Sequence, residues 1–327
     1  MGVVGKKGAW LAAGLAAAAA AASYAVYRRD LAAARARLAG SSVLATPCGP
    51  IEYAVAGEGP PVLVVHGAGG GFDQGLALAA PLVGHGFRVV AMSRFGYLRT
   101  PLPADASAAA QADAHACLLD ALGIRDVVVI GASAGAPSAL ELAIRHPQRV
   151  AKLVLLVPAA YTPRPQGEPP VRVPPGLAMV FDTALNSDFV FWAMLRAVPD
   201  LMTRTALGTP TDVVAAASPA ERERIAAMLR SILPVRPRRL GLLNDGEVTR
   251  HLTRCELERI AAPTLAISAA DDLYGTYDGA RYTAQQIPGA RFVGYPSGGH
   301  MLVGRQDAVT AELLGFLRDS QGAGDSG

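Results

Sequence analysis

From residue 50 onward the chain alternates two kinds of apolar pattern. Short apolar runs over residues 62–65, 88–92, 127–130, 153–157, 264–267 and 291–294 read as strands. Between them, apolar residues recur at helical spacing over residues 111–122, from Ser133 to the "RHP" at 145–147, and over 308–318. Gly123 closes the first of these helices. Pro137 falls in the first turn of the second, where its missing N–H costs little. Strands separated by helices predict a mostly parallel α/β sheet flanked by helices. Between Pro158 and Ile260 this rhythm stops. The stretch opens with "YTPRPQGEPPVRVPPG" and continues with the apolar helical pieces "LNSDFVFWAMLRAV" and "ERERIAAMLRSIL", so it predicts a helical cap inserted over one end of the sheet. Trp192, in this insertion, reads as cap core. The expected organisation is an apolar segment and linker over 1–45, core over 46–158 and 260–320, cap over 159–259 and a disordered tail over 321–327.

The first forty residues are a different material. Residues 8–27, "GAWLAAGLAAAAAAASYAVY", carry no charge, with Lys6 and Lys7 before them and Arg28 and Arg29 after. Twenty residues of helix span about 30 Å, the thickness of a bilayer's hydrocarbon layer. The segment therefore reads first as a single-pass N-terminal membrane anchor, and Arg28, Arg29, Arg35 and Arg37 favour a cytoplasmic catalytic domain. Two alternatives stand beside it. One is a secretory signal peptide cleaved near Ala20 and Ala22; the other is an alanine-rich helix that stays out of the membrane. Lys6 stands where a myristoylation signal needs Ser or Thr.

Composition adds limits. The 327 residues are about half hydrophobic and 17% charged, with a formal charge of +3, which gives no electrostatic case for nucleic acid. "RPRR", Arg236 to Arg239, is the nearest thing to a basic cluster. It is read either as a solvated loop or, through Arg236, Arg238 and Arg239, as a site for an anionic group on a small-molecule substrate. Cys48, Cys117 and Cys255 are few, odd in number and far apart, so neither a disulfide framework nor a zinc site is expected, and Cys117 reads as a small core residue. No histidine pair has a metal-ligand spacing, and no cofactor is expected.

The chemistry gathers in four places. "GASAG" places Ser133 between Gly131 and Gly135, directly after a strand and before a helix. A serine hydroxyl is a poor nucleophile at neutral pH and needs a base within reach and donors for the developing oxyanion. A sharp strand-to-helix turn exposes it, and small residues two before and two after avoid backbone clashes. The Ala134 N–H then opens a helix and faces the place where an anion forms. "HGAGGG", after the strand at 62–65, offers a second donor at the Ala68 N–H beside Gly67. It lacks the spacing of either phosphate-cradling glycine motif. His66 precedes that loop and reads as its buttress. "AADD" puts Asp271 and Asp272 where a strand ends, and "SGGH" puts His300 after the last strand. His85 and His115 read as surface or helix positions, His146 as a helix stop and His251 as a helix cap.

The pieces "HGAGGG", "SRFGYLRT", "GASAG", "PTLAISAADD" and "SGGH" occur in the order of the α/β-hydrolase fold family, which this chain resembles from Ile51 to about Leu317. The resemblance implies a Ser133–His300–Asp272 triad with an oxyanion hole from Ala68 and Ala134. Asp272 follows from aligning Ala269 with the family's small residue; counting from Ser268 selects Asp271 instead. Serine at 133 argues against the family's epoxide hydrolases and haloalkane dehalogenases, which use aspartate. Ser93 departs from the family's "D-x-R-G-x-G" loop, which leaves the packing there open. The expected activity is hydrolysis of an ester, thioester or lactone through an acyl-enzyme. Alternatives are a carbon–carbon bond hydrolase of the ring-cleavage type and a catalytically silent binding scaffold.

Overall fold

The computed structural model describes residues 3–163 and 183–319. The proline-rich opening of the insertion after Pro163 and the tail expected over 321–327 lie outside the described residues. The six predicted strands are β3 (Pro61–Val65), β4 (Arg88–Met92), β5 (Val127–Ala132), β6 (Val150–Leu156), β7 (Thr264–Ala269) and β8 (Arg291–Tyr295). A hairpin, β1 (Ser42–Thr46) and β2 (Gly49–Ala56), adds two strands that the pattern did not announce, because their outer face is largely exposed. The eight strands run in the order β1-β2-β4-β3-β5-β6-β7-β8, antiparallel up to β4 and parallel from β4 to β8.

Burial on both faces explains the apolar runs of β3 to β7, while the edge strand β8 is only half-buried. In β3, Leu63 and Val65 face one core cluster and Val62 and Val64 the other. The first cluster is covered by α4 (Ala108–Ala121), α5 (Ala136–Arg145) and α11 (Thr276–Gln286); the second lies under α3 (Ala80–Val83) and α12 (Gln306–Arg318), with α2 (Phe72–Leu78) beside them. Parallel register aligns the strand ends. Val65 stands opposite Gly131, and Ala269 opposite Tyr295. The loops after β3, β5, β7 and β8 therefore meet at one edge, where groups in open parallel sheets converge.

The insertion forms helices α6 (Asp188–Ala197), α7 (Pro199–Ala206), α8 (Thr211–Ala216), α9 (Pro219–Ser231) and α10 (Arg239–Arg250). They carry their own apolar cluster, which includes Trp192, Met202, Ile225 and Leu229. This cluster also contains Ala34 from the long N-terminal helix α1 (Val3–Ala36).

That packing bears on the membrane anchor expected over residues 8–27, which is overturned: among the described residues no helix is long and apolar enough to cross a membrane. Alanine makes α1 a good helix but contributes little apolar surface. Its last turns pack against the cap. Tyr27, Leu31 and Ala34 share one face, where Leu31 and Ala34 are buried and the Tyr27 ring meets Phe189 and Trp192 edge-on at 5.1 and 5.5 Å. Asp30 accepts the Trp192 indole N–H at 3.1 Å and an Arg196 N–H at 2.6 Å. Trp10, Leu11, Leu15 and Tyr24, by contrast, stand exposed.

The cysteines also depart from expectation. Cys48, in the β1–β2 turn, is disulfide-bonded to Cys117 on α4, 69 residues away. The pairing was invisible in the spacing because the hairpin that brings Cys48 over α4 was itself not anticipated. Cys255 is free.

Candidate active site

Ser133 sits at the β5–α5 junction with a φ of +48°, in the left-handed region that a non-glycine residue adopts only under constraint. The surroundings leave room for nothing larger than glycine on either side. A Cβ at Gly135 would lie 2.5 Å from the Val65 carbonyl oxygen, and one at Gly131 would lie 2.6 Å from the Ala139 Cβ. The turn thus lifts a half-buried hydroxyl to the sheet edge.

His300 meets it there. The Ser133 hydroxyl lies 2.8 Å from His300 Nε2, and His300 Nδ1 lies 2.7 Å from Asp272 Oδ2. A carboxylate only accepts, so Nδ1 carries the proton and Nε2 is free to take one from Ser133. Asp272 is held in turn. Its Oδ1 accepts the Tyr274 N–H at 2.8 Å, and its Oδ2 accepts the Thr276 hydroxyl, which accepts from Ser268 at 2.9 Å. Asp271 points elsewhere: it takes the Gly298 and Gly299 N–H groups at 3.1 and 2.7 Å, in the loop that carries His300. Both neighbouring carboxylates therefore serve the histidine, one on its ring and one on its backbone. The edge of the Tyr274 ring packs against the imidazole, centroid to centroid 4.7 Å.

The loop after β3 lies against Ser133, since a Cβ at Gly67 would come within 3.1 Å of the Ser133 Cβ. Three of its four N–H groups are taken. Gly67 donates to Gln74 Oε1 at 2.9 Å, Gly69 to the Tyr97 hydroxyl at 3.1 Å and Gly70 to the Gly67 carbonyl at 3.3 Å. The Ala68 N–H has no acceptor among the described residues, and Ala68 is exposed. The Ala134 N–H opens the helical turn after Ser133, where intrahelical partners are absent. His66 acts as the expected buttress. Its Nδ1–H donates to the Gly67 carbonyl at 2.7 Å, on the far side of the peptide whose N–H is Ala68's, and its Nε2 accepts the Arg94 N–H at 3.0 Å. Burial, with the Arg94 charge added, pushes its pKa well below the usual histidine range, so it stays neutral.

Several residues placed by the fold had no such role in the sequence reading. Ser93 replaces the family's aspartate, and the missing carboxylate is supplied by Glu52 of β2. Ser93 donates to Glu52 Oε2 at 2.8 Å, and Arg99 and Ser41 bind the same carboxylate. Gln74, Tyr97 and Asp245 anchor the loop at 67–70 directly or through one another. Tyr97 lies inside the "SRFGYLRT" motif, which pointed to it; nothing local pointed to Asp245, 148 residues further on. His115 takes the helix position on α4 and is fully buried there, with Nε2 3.0 Å from the Ser138 hydroxyl, and burial brings its pKa down to about 3. Arg238 is likewise no anion site. It is completely buried, donates to the Gly70 carbonyl at 2.5 Å and pairs with Asp73 at 2.7 Å, because the loop leaves it no path to solvent. Among the described residues no cluster of His, Cys, Asp and Glu could hold a metal ion.

An eight-stranded, mostly parallel sheet with a serine on the turn after its central strand defines a class. The family model for the alpha/beta hydrolase fold matches residues 60–304, and the chain belongs to that family. An uncharacterised hydrolase of Bacillus subtilis, YcgS, is 30% identical over 285 residues, 82% of this chain and 95% of that protein. A 2-hydroxymuconate semialdehyde hydrolase of Pseudomonas putida is 41% identical over 103 residues, which cover 31% of this chain and 37% of that enzyme. Among solved structures, an alpha/beta hydrolase fold protein from Nakamurella multipartita superposes with a TM-score of 0.66 at 29% identity, covering 85% of this chain and 99% of that one.

Proposed function

We propose that this hydrolase is a serine hydrolase that forms an acyl-enzyme on an ester, thioester or lactone. One observation carries the reading: the relay from the strained Ser133 hydroxyl through His300 to Asp272, at 2.8 and 2.7 Å. In this reading His300 Nε2 takes the Ser133 proton as Oγ attacks the acyl carbon, and Asp272 stabilises the imidazolium that forms. The oxyanion is held by the N–H groups of Ala68 and Ala134. The imidazolium then protonates the leaving group, and a water molecule activated by the same ring releases the acid. A small-molecule substrate suffices for these steps, and no cofactor takes part.

The expected outcome for Ser133→Ala is loss of about 10⁴ to 10⁶ in kcat on a simple activated ester such as p-nitrophenyl butyrate, with the fold intact. A fluorophosphonate probe should label the wild type at Ser133 and leave the variant unlabelled. Retention of a tenth of the turnover would sink the assignment, and an unlabelled wild type would favour a binding scaffold. The Pseudomonas putida relative supports a second reading, carbon–carbon bond hydrolysis. Disappearance of 2-hydroxymuconate semialdehyde with faster turnover than any ester would favour it.

A further inference from the structure

Asp245 sits in the middle of α10, in the cap, yet its carboxylate reaches through to the core. Its oxygens take two Arg94 N–H groups at 2.6 Å each, and Oδ2 also takes the Tyr97 hydroxyl proton at 2.5 Å. All three residues are buried. Burial and the Asp245 charge push the Tyr97 pKa well above the ordinary phenol value, so Tyr97 keeps its single proton. With that proton committed to Asp245, a lone pair faces the Gly69 N–H and accepts it. Arg94 extends the same chain, donating from Nε to the His66 carbonyl at 2.8 Å and from its backbone to the His66 ring at 3.0 Å.

The consequence concerns direction. In the loop at 67–70 the N–H groups of Gly67, Gly69 and Gly70 are anchored, and the orientation of Ala68 follows from its neighbours. Gln74 and the Gly67 carbonyl are local anchors from the core. The third, the Tyr97 hydroxyl, also belongs to the core, but its proton is held from the cap by Asp245. We propose that Asp245 is a positioning residue for this loop, acting through Tyr97 and Arg94 on the direction of the Ala68 N–H. The role rests on the reading of that N–H as an oxyanion donor. Docking of the cap then does two things at once: it covers the site and aims the donor. Removing the Asp245 charge frees the Tyr97 hydroxyl to rotate and leaves the Arg94 guanidinium buried without its counter-charge.

The test measures the second-order rate of Ser133 labelling by a small alkyl fluorophosphonate on the full chain. Its transition state places a negative oxygen where the acyl oxyanion forms. Asp245→Asn and Tyr97→Phe should each react on the order of ten- to a hundredfold more slowly than wild type. The kcat for p-nitrophenyl butyrate should fall by a similar factor while KM stays within about twofold. Tyr97→Phe leaves the Arg94–Asp245 pair intact, so it keeps the result readable where Asp245→Asn fails to fold. If Asp245 only holds the cap shut, the small probe reacts as fast as with wild type or faster and KM rises, which overturns the proposal. If wild type and Ser133→Ala are both unlabelled, the serine-hydrolase reading falls and the positioning role with it.

Discussion

At the scale of single residues, the adjacent aspartates after β7 divide one task. Asp272 bonds the His300 ring, and Asp271 bonds the two N–H groups preceding it. In a serine-hydrolase mechanism the ring partner fixes the tautomer and the imidazolium, a role worth about 10⁴ in rate. Asp272→Asn is therefore expected to lose at least about a thousandfold in kcat on the ester. Asp271→Asn keeps one oxygen but turns the other into a donor facing a donor, and should lose roughly ten- to a hundredfold, through misplacement of the base. Equal mild losses would place the acid elsewhere. Ser133, His300 and both aspartates were legible because each stands in a short motif whose geometry is local. The choice between the aspartates rested on register. Asp245 and Glu52 were not legible, since each meets its partners only across the tertiary fold. The Ser93 departure is the instructive case: the carboxylate the loop lacks stands on the neighbouring strand.

Secondary-structure elements were read best where apolar residues ran unbroken through buried strands, and worst at the exposed β1–β2 hairpin. The N-terminal helix shows why a hydropathy pattern can mislead. Its uncharged stretch invited a bilayer, but the decisive residues lie at its end and just beyond it. Tyr27, Asp30 and Ala34 belong to the cap's packing, and Arg37 donates to the Arg230 and Leu233 carbonyls at 3.2 and 3.5 Å. Two truncations should therefore differ. Removing residues 1–20 takes away none of these contacts and should leave the thermal midpoint within about 1 °C. Removing residues 1–40 uncovers Trp192 and severs the Asp30 and Arg37 bonds, and should lower the midpoint by several degrees, on the order expected for about 1–3 kcal/mol. Identical melting of the two truncations would show that α1 contributes nothing to the cap.

For the molecule as a whole, two buried neutral histidines add to its sensitivity to acid. His115, brought down to about 3, and His66, pushed well below its usual range, both titrate lower in the folded chain than in the unfolded one. Below about pH 6.5 the unfolded chain takes up protons at these two sites that the folded chain refuses, so their share of the stability is full above that value and is lost as the pH drops towards 3. His115→Gln should flatten the loss of thermal midpoint between pH 6.5 and 4.5 relative to wild type, because one of the two groups no longer titrates. Parallel curves would remove His115 from the acid response. The cap, meanwhile, is tied to the site loops after β3, β7 and β8. Gly208 accepts from Leu273 and His300, Thr209 takes the Met301 N–H, Arg224 donates to the Met301 carbonyl, and Arg238 and Asp245 hold the loop after β3. Exchanging caps among relatives is an obvious way to move specificity from one family member to another. Here such a graft would not be modular: the donor segment must bring its own counterparts of Gly208, Arg238 and Asp245, or the recipient inherits a new pocket over a disassembled sheet edge.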